Sequence, residues 1–252
     1  MKINLKDHVI LLTGATSGIG RAILRLLSQT GAIIAAHYGQ NEKEATAIQR
    51  SLKDQCHLFQ ADLSEPAHLS DLFKKVLARY GKIDTLINNA GVYLRSPVDK
   101  YLTSWLNDWH RTLSINLTAA GVLCKLSLPV FKKNGGGRII NIASRAAFRG
   151  DTAEYLAYAA SKGGLVSLTR SIARAYGKEN IKAFIVAPGF VRTRMAEEFI
   201  QHHGEAAILN ELALSTMTEP DDVAPTVVFL ASGMMDHATG CTIDINAASY
   251  VR

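Results

Sequence analysis

The 252-residue chain carries a formal net charge of +6, with 48% hydrophobic and 20% charged residues. That balance excludes a disordered chain, and lysines and arginines scattered without a basic run argue against nucleic acid as a partner. The length is right for one α/β domain with a full core.

The first apolar run, in MKINLKDHVILLTG, is too short for a signal-peptide core or a membrane span, so a cytoplasmic protein with no membrane attachment is expected. It is followed by the first strand, residues 9–13, and by TGATSGIG and a helix over 21–30. Further runs rich in β-branched residues lie at 32–38, 57–60, 85–89, 138–143, 181–187 and 241–245. None of these runs alternates strictly, as suits strands buried on both faces. Amphipathic stretches at 42–53, 66–80, 104–133 and 153–176 read as the intervening helices. Seven strands interleaved with helices predict a single-domain, doubly wound, seven-stranded parallel α/β sheet of the Rossmann type. Residues 192–218, after Pro188-Gly189, carry no strand signal and include His202, His203 and Gly204. A mobile helical lid is the expectation there, an ordinary pair of surface helices the plainer reading. Cys56, Cys124 and Cys241 are far apart and form no CxxC pair or zinc spacing. They read as core residues, and no metal is expected.

In TGATSGIG, Gly14, Gly18 and Gly20 fall between a strand and a helix N-terminus. Glycine lets the backbone approach a pyrophosphate closely, and the free N–H groups at the helix start favour its charge. A tight turn alone would also use glycine, so later motifs must add weight. NNAG ends the fourth strand, Asn116 lies in the long helix and Ser144 follows the fifth strand. Tyr158 and Lys162 form YxxxK, and PGFVRT follows the sixth strand. No other tyrosine has Lys four residues on. That spacing stacks the two side chains on one helix face, where an ammonium would favour phenolate and, together with the positive charge of a bound oxidised cofactor, lower the Tyr158 pKa. No GxSxG elbow supports a hydrolase.

In these motifs and their order the chain resembles the short-chain dehydrogenase/reductase family over essentially its whole length. The resemblance implies an NAD(P)-dependent oxidoreductase acting on a ketone or secondary alcohol, closest in look to 3-oxoacyl-carrier-protein reductases, with sugar and steroid-type dehydrogenases as alternatives. An inactive dinucleotide sensor would be expected to lose Ser144, Tyr158 or Lys162. By resemblance Tyr158 is the proton donor, Ser144 binds the substrate oxygen, Lys162 also holds the nicotinamide ribose and Asn116 supports a water chain. A mid-helix Asn can instead satisfy backbone groups, and Ser144 can cap a turn. The implied cofactor contacts are Gly14, Thr16, Ser17, Gly18, Ile19, Gly20, His37, Tyr38, Asp62, Leu63, Asn89, Ala90, Gly91, Tyr158, Lys162, Pro188, Gly189, Val191 and Thr193, with capping as the other reading of Asp62.

Tyr38 stands where NAD-specific members carry Asp, so no carboxylate there repels a 2′-phosphate. With Arg21 as the one cation nearby, NADP(H) is favoured over NAD(H). Lys132, Lys133 and Lys178 could meet an acidic acyl carrier protein, or be solvated lysines. The helices at 104–133 and 153–176 are apolar beyond one core-facing stripe, which with the resemblance implies a homotetramer. One departure is Asn246-Ala247-Ala248, where the family often has a DGG-like turn.

Overall fold

A computed structural model describes residues 3–252, except for the side chains of Glu198, His202 and His203; the two histidine side chains noted above therefore lie outside the described residues. The strands are β1 (Val9–Leu12), β2 (Ile33–Tyr38), β3 (Cys56–Gln60), β4 (Thr85–Asn88), β5 (Gly137–Ile142), β6 (Ile181–Pro188) and β7 (Thr242–Ile245). All seven are parallel in one sheet of order β3-β2-β1-β4-β5-β6-β7. The order reverses between β1 and β4. There the connecting helices leave to opposite faces, and a crevice opens beyond the strand C-termini.

Alternate strand residues feed two cores. Ile10, Ile34 and Ile140 pack with α1 (Gly18–Ser28) and α10 (Pro220–Ala231). On the other face Leu11, Ala35 and Ile139 meet α3 (Pro66–Tyr80), α5 (Ala119–Lys133) and α7 (Leu156–Tyr176). A fully buried ring such as Phe131 contributes roughly 2–3 kcal/mol on its own. Helix ends follow local chemistry: α3 starts with Pro66 and stops at Gly81, whose φ is +71°. A reciprocal Glu219–Asp222 capping box opens α10.

The expected helix over 104–133 is interrupted. Between α4 (Leu102–Leu113) and α5 lies a π-helical turn, Ser114–Thr118, which no periodicity argument forecast. Residues 102–133 are long and apolar enough to cross a bilayer. The α5 half instead packs Leu123, Cys124 and Phe131 into the sheet core.

After β6, the chain makes an excursion through α8 (Arg194–His203) and α9 (Glu205–Leu209). It returns to its start: Val191 and Thr218 form a parallel bridge, and the Arg192 N–H donates to the Thr218 carbonyl at 2.9 Å. Past β7, Ala247 and Ala248 have φ of +51° and +55°, a region that suits the glycines of the family's usual turn. The Ala247 carbonyl accepts from the Ala213 N–H, fastening the excursion to this turn.

Candidate active site

The glycine-rich turn is held from below. The Thr13 hydroxyl accepts from the Asn89 and Ala90 N–H groups, each at 3.0 Å, while Asn89 Nδ2 donates to the Thr13 and Gly14 carbonyls at 3.0 and 3.1 Å. NNAG therefore braces the turn from β4. Gly14 has φ +67°. Gly20 admits no side chain, since a Cβ there would lie 2.0 Å from the Gly14 carbonyl oxygen. Ser17 is extended and makes no side-chain cap, which leaves the α1 N-terminus to a ligand.

His37, 2% exposed, ties the turn to β3. Its Nδ1 accepts from the Gly14 N–H at 3.1 Å, so Nε2, 3.1 Å from the Ala61 carbonyl, carries the proton. Burial pulls its pKa down to about 4, partly opposed by the Ala61 carbonyl and Asp62. Asp62 accepts from the Ser64 N–H and hydroxyl, which hold its carboxyl below its usual range. It caps a turn and lines the cleft as well.

At the other end Ser144 lies just beyond β5, and Tyr158 and Lys162 share one face of α7. The Ser144 Oγ accepts from the Ala146 N–H at 3.1 Å, leaving its proton to donate. Lys162 is buried; its Nζ donates to the Ile142 carbonyl at 2.8 Å and lies 5.7 Å from the Tyr158 ring centroid. Burial lowers its pKa to about 8. In the protein alone, burial pushes the Tyr158 pKa up to about 12, with the Ser144 hydroxyl pulling the other way and Asp151 adding to the rise. Desolvation of the phenolate dominates while the Lys162 ammonium is engaged by a carbonyl.

Asn116 sits in the π turn with its side chain turned to the loop after β4. Oδ1 accepts from the Val92 N–H at 2.8 Å, and Nδ2 donates to the Val92 carbonyl and to Ser161. The Asn116 side chain thus meets the Val92 backbone through both its oxygen and its nitrogen, and Ser161 besides. A Cβ at Gly91 would lie 3.2 Å from Asn116 Oδ1 and 3.5 Å from Lys162 Nζ, so glycine keeps open the space in front of both.

These groups share one open cleft of about 1480 Å³ along the strand C-termini. That is more room than most single-ligand pockets have and suits a dinucleotide with a second molecule. It is lined by Gly14, Thr16, Ser17, Gly18, Ile19, His37, Asp62, Leu63, Asn89, Ala90, Gly91, Ser144, Tyr158, Lys162, Pro188, Gly189, Val191 and Thr193. Three expected residues are not on its wall. Gly20 packs beneath the turn, Asn116 braces Val92, and Tyr38 stays off the wall while His37 and Gly39 line it. Arg21 does line the cleft but is paired at 2.9 Å with Glu44, another wall residue, so it is not the free cation expected. Lys132, Lys133 and Lys178 lie next to the starts of β5 and β6, at the sheet edge opposite the cleft, and Lys132 is bound to Glu179 at 2.6 Å.

Sequence reasoning missed part of the wall around Tyr158. Tyr93 stacks on Tyr155 with centroids 3.7 Å apart, meets the Tyr158 ring edge-on and donates to Asp151 at 3.2 Å. Burial raises the Asp151 pKa. Phe190 and Phe199, with centroids 4.8 Å apart, close the apolar side. Arg145 stood beside Ser144 in the sequence, a visible signal; Glu211, 66 residues further on, had none.

Comparison with known proteins agrees with this geometry. A family model described as enoyl-(acyl carrier protein) reductase matches residues 14–247. The chain is 30% identical to a 3-oxoacyl-[acyl-carrier-protein] reductase of Thermotoga maritima, over 99% of this chain and 100% of the relative. It is 33% identical to one of Aquifex aeolicus, with the same coverage. A crystal structure of a short-chain dehydrogenase/reductase, glucose/ribitol dehydrogenase, from Brucella melitensis superposes with a TM-score of 0.90 at 30% identity, covering both chains fully. A blue fluorescent protein from a metagenomic library, in complex with NADPH, gives 0.89 at 32% identity, over 98% of this chain and 100% of that one. With glycine turn, NNAG, Ser144, Tyr158 and Lys162 gathered in one cleft and relatives matched end to end, the chain belongs to the short-chain dehydrogenase/reductase family of oxidoreductases.

Proposed function

We propose that this chain reduces a ketone to a secondary alcohol with NADPH, working in the cytoplasm as a homotetramer. The observation that carries the reading is the convergence of the Ser144 and Tyr158 hydroxyls on one end of a cleft whose other end is an uncapped helix N-terminus. When bound, a reduced nicotinamide supplies the hydride that reaches the carbonyl carbon. Ser144, oriented by the Ala146 N–H, donates a hydrogen bond to the carbonyl oxygen. Tyr158 transfers its phenolic proton to the same oxygen as the alcohol forms. Burial holds the Tyr158 phenol above its ordinary pKa, so the group is protonated at neutral pH before the dinucleotide binds. Lys162 supplies the cation that offsets the phenolate left behind.

The dinucleotide would rest its pyrophosphate on the Gly14–Gly18 turn and the α1 N-terminus, its adenine side against His37, Asp62 and Leu63, and its nicotinamide side against Gly91, Pro188, Gly189, Val191 and Thr193. The reading in favour of NADP(H) rests on the lack of a carboxylate at Tyr38 and on the NADPH carried by the metagenomic neighbour. The Arg21–Glu44 pair contributes no net charge to it. The names of the Thermotoga and Aquifex relatives make a 3-oxoacyl thioester the first substrate to try, with an acyl carrier protein as a partner. Such a carrier would dock at the cleft mouth and not on Lys132, Lys133 and Lys178. Sugar-alcohol oxidation is a second reading, favoured by the name of the Brucella neighbour. In both, the excursion over 192–218 acts as a lid.

The test is nicotinamide absorbance with purified protein, NADPH or NADH, and a panel of 3-oxoacyl thioesters, simple ketones and sugars. A higher kcat/KM with NADPH is expected. A preference for NADH of about tenfold or more would overturn the cofactor assignment.

A further inference from the structure

Arg145 follows Ser144 and lines the same cleft, yet no step above uses it. The residue is only 6% exposed. Its Nη2 donates to the Glu211 carboxylate at 2.6 Å, and its guanidinium carbon lies 4.7 Å from the Phe190 ring centroid. Nη1 is sealed from solvent and has no hydrogen-bond partner among the described residues. Arg149 reaches the same Glu211 carboxylate at 2.9 and 3.5 Å. A buried guanidinium with one arm unmet is unfavourable, because that arm has lost water and gained nothing.

The anion and the cations belong to different parts of the molecule. Arg145 and Arg149 sit on the scaffold around α6 (Ala146–Arg149). Glu211 lies on the excursion after α9; its side chain is 39% exposed, and residues 213–216 beyond it are exposed too. With Glu211 in place, Arg145 and Arg149 are balanced by Glu211 and Asp151, and Nη1 stays shut off. With Glu211 moved aside the group holds one net positive charge, and a neutral ligand would leave Arg145 uncompensated inside the wall. A monoanion restores the balance, and a planar carboxylate matches the guanidinium fork.

We propose that Arg145 and Arg149 form a subsite for a carboxylate on the substrate, with Glu211 as the resident carboxylate that the substrate displaces. This rests on the ketone-reduction reading and narrows it to oxo acids and their hydroxy-acid products, away from thioesters. Arg145 and Arg149 are specificity residues in this scheme, and the proton still comes from Tyr158.

The experiment compares 3-oxobutanoate and 4-oxopentanoate with their methyl esters and with an acetoacetyl thioester, using NADPH and wild-type, Arg145→Met and Glu211→Gln proteins. Thermal-shift titration with pentanoate and with methyl pentanoate runs alongside and needs no turnover. Wild type should prefer an acid over its ester by about tenfold or more in kcat/KM, and pentanoate alone should raise Tm. Arg145→Met should erase both effects, chiefly through KM. Glu211→Gln, which removes the competing carboxylate, should lower KM for the acids relative to the esters. A merely structural ion pair would not shift the acid-to-ester ratio, and if Arg145→Met fails to fold, Glu211→Gln decides by its opposite sign. Equal use of acid and ester, a preference for the thioester, or a higher KM for the acids in Glu211→Gln overturns the subsite. Pentanoate binding that depends on Arg145, without turnover of any ketone, keeps the subsite and overturns the ketone-reduction reading instead.

Discussion

Tyr158 and Lys162 show how burial divides the work of two side chains four residues apart. The phenol is held above its ordinary pKa and the ammonium below its own, so near pH 7 the first keeps its proton and the second remains largely charged. Tyr158→Phe keeps the ring that Tyr93 meets edge-on and removes only the proton. Turnover should fall by roughly 10²- to 10⁴-fold, with NADPH binding, followed by fluorescence, little changed. Retention of more than about a tenth of kcat would assign the proton to another group. The YxxxK spacing and Ser144 were plain in the sequence because each role needs a particular side chain. The desolvation that raises the Tyr158 pKa was not, since it depends on how much protein surrounds the phenol.

Among elements, the junction of β1, β2 and β3 depends on a neutral histidine. His37 has its pKa lowered from 6.5 to about 4 in the fold, so between these values the unfolded chain binds a proton that the folded chain does not. The stability it contributes is complete above about pH 6.5, declines as pH falls to about 4, and changes no further below. The loss should total about 3 kcal/mol. His37→Gln can accept from Gly14 and donate to Ala61 without titrating, so its Tm should fall less steeply than that of wild type across this window. Parallel Tm-against-pH curves would remove His37 as the cause. The strands were legible within a residue or so: the inner ones are buried on both faces and show no polar alternation, whereas the edge strands β3 and β7 are only partly buried and stand out by their β-branched and aromatic residues. The π turn was not, because Asn116 adopts it to meet the Val92 backbone, a partner 24 positions away. Likewise Ala247 and Ala248 give no sequence sign of left-handed backbone, which glycine would have announced.

For the whole molecule, the seven-stranded parallel sheet with helices between its strands followed from the alternation of elements, whereas the strand order and the cleft's specific wall depend on contacts across dozens of residues. Surface placement points beyond one chain. Tyr101, Leu102, Leu106 and Leu156 are 88%, 69%, 36% and 42% exposed at the starts of α4 and α7. The most apolar window of residues 102–133 is only 33% buried. Large apolar side chains left in solvent on α4 and α7 are the kind of surface that another copy covers. Sedimentation at micromolar concentration should show a species about four times the single chain. A lone 27.4 kDa species would contradict the tetramer. Beyond β6 the chain closes on itself where Val191 meets Thr218, and Arg192 clasps both Glu205 and Glu219 near that closure. The excursion is closed at its base and also anchored along its length, by Ala213 to the turn after β7 and by Glu211 to Arg145 and Arg149. Exchanging it between relatives would therefore have to carry those scaffold partners with it, since they lie outside the exchanged segment.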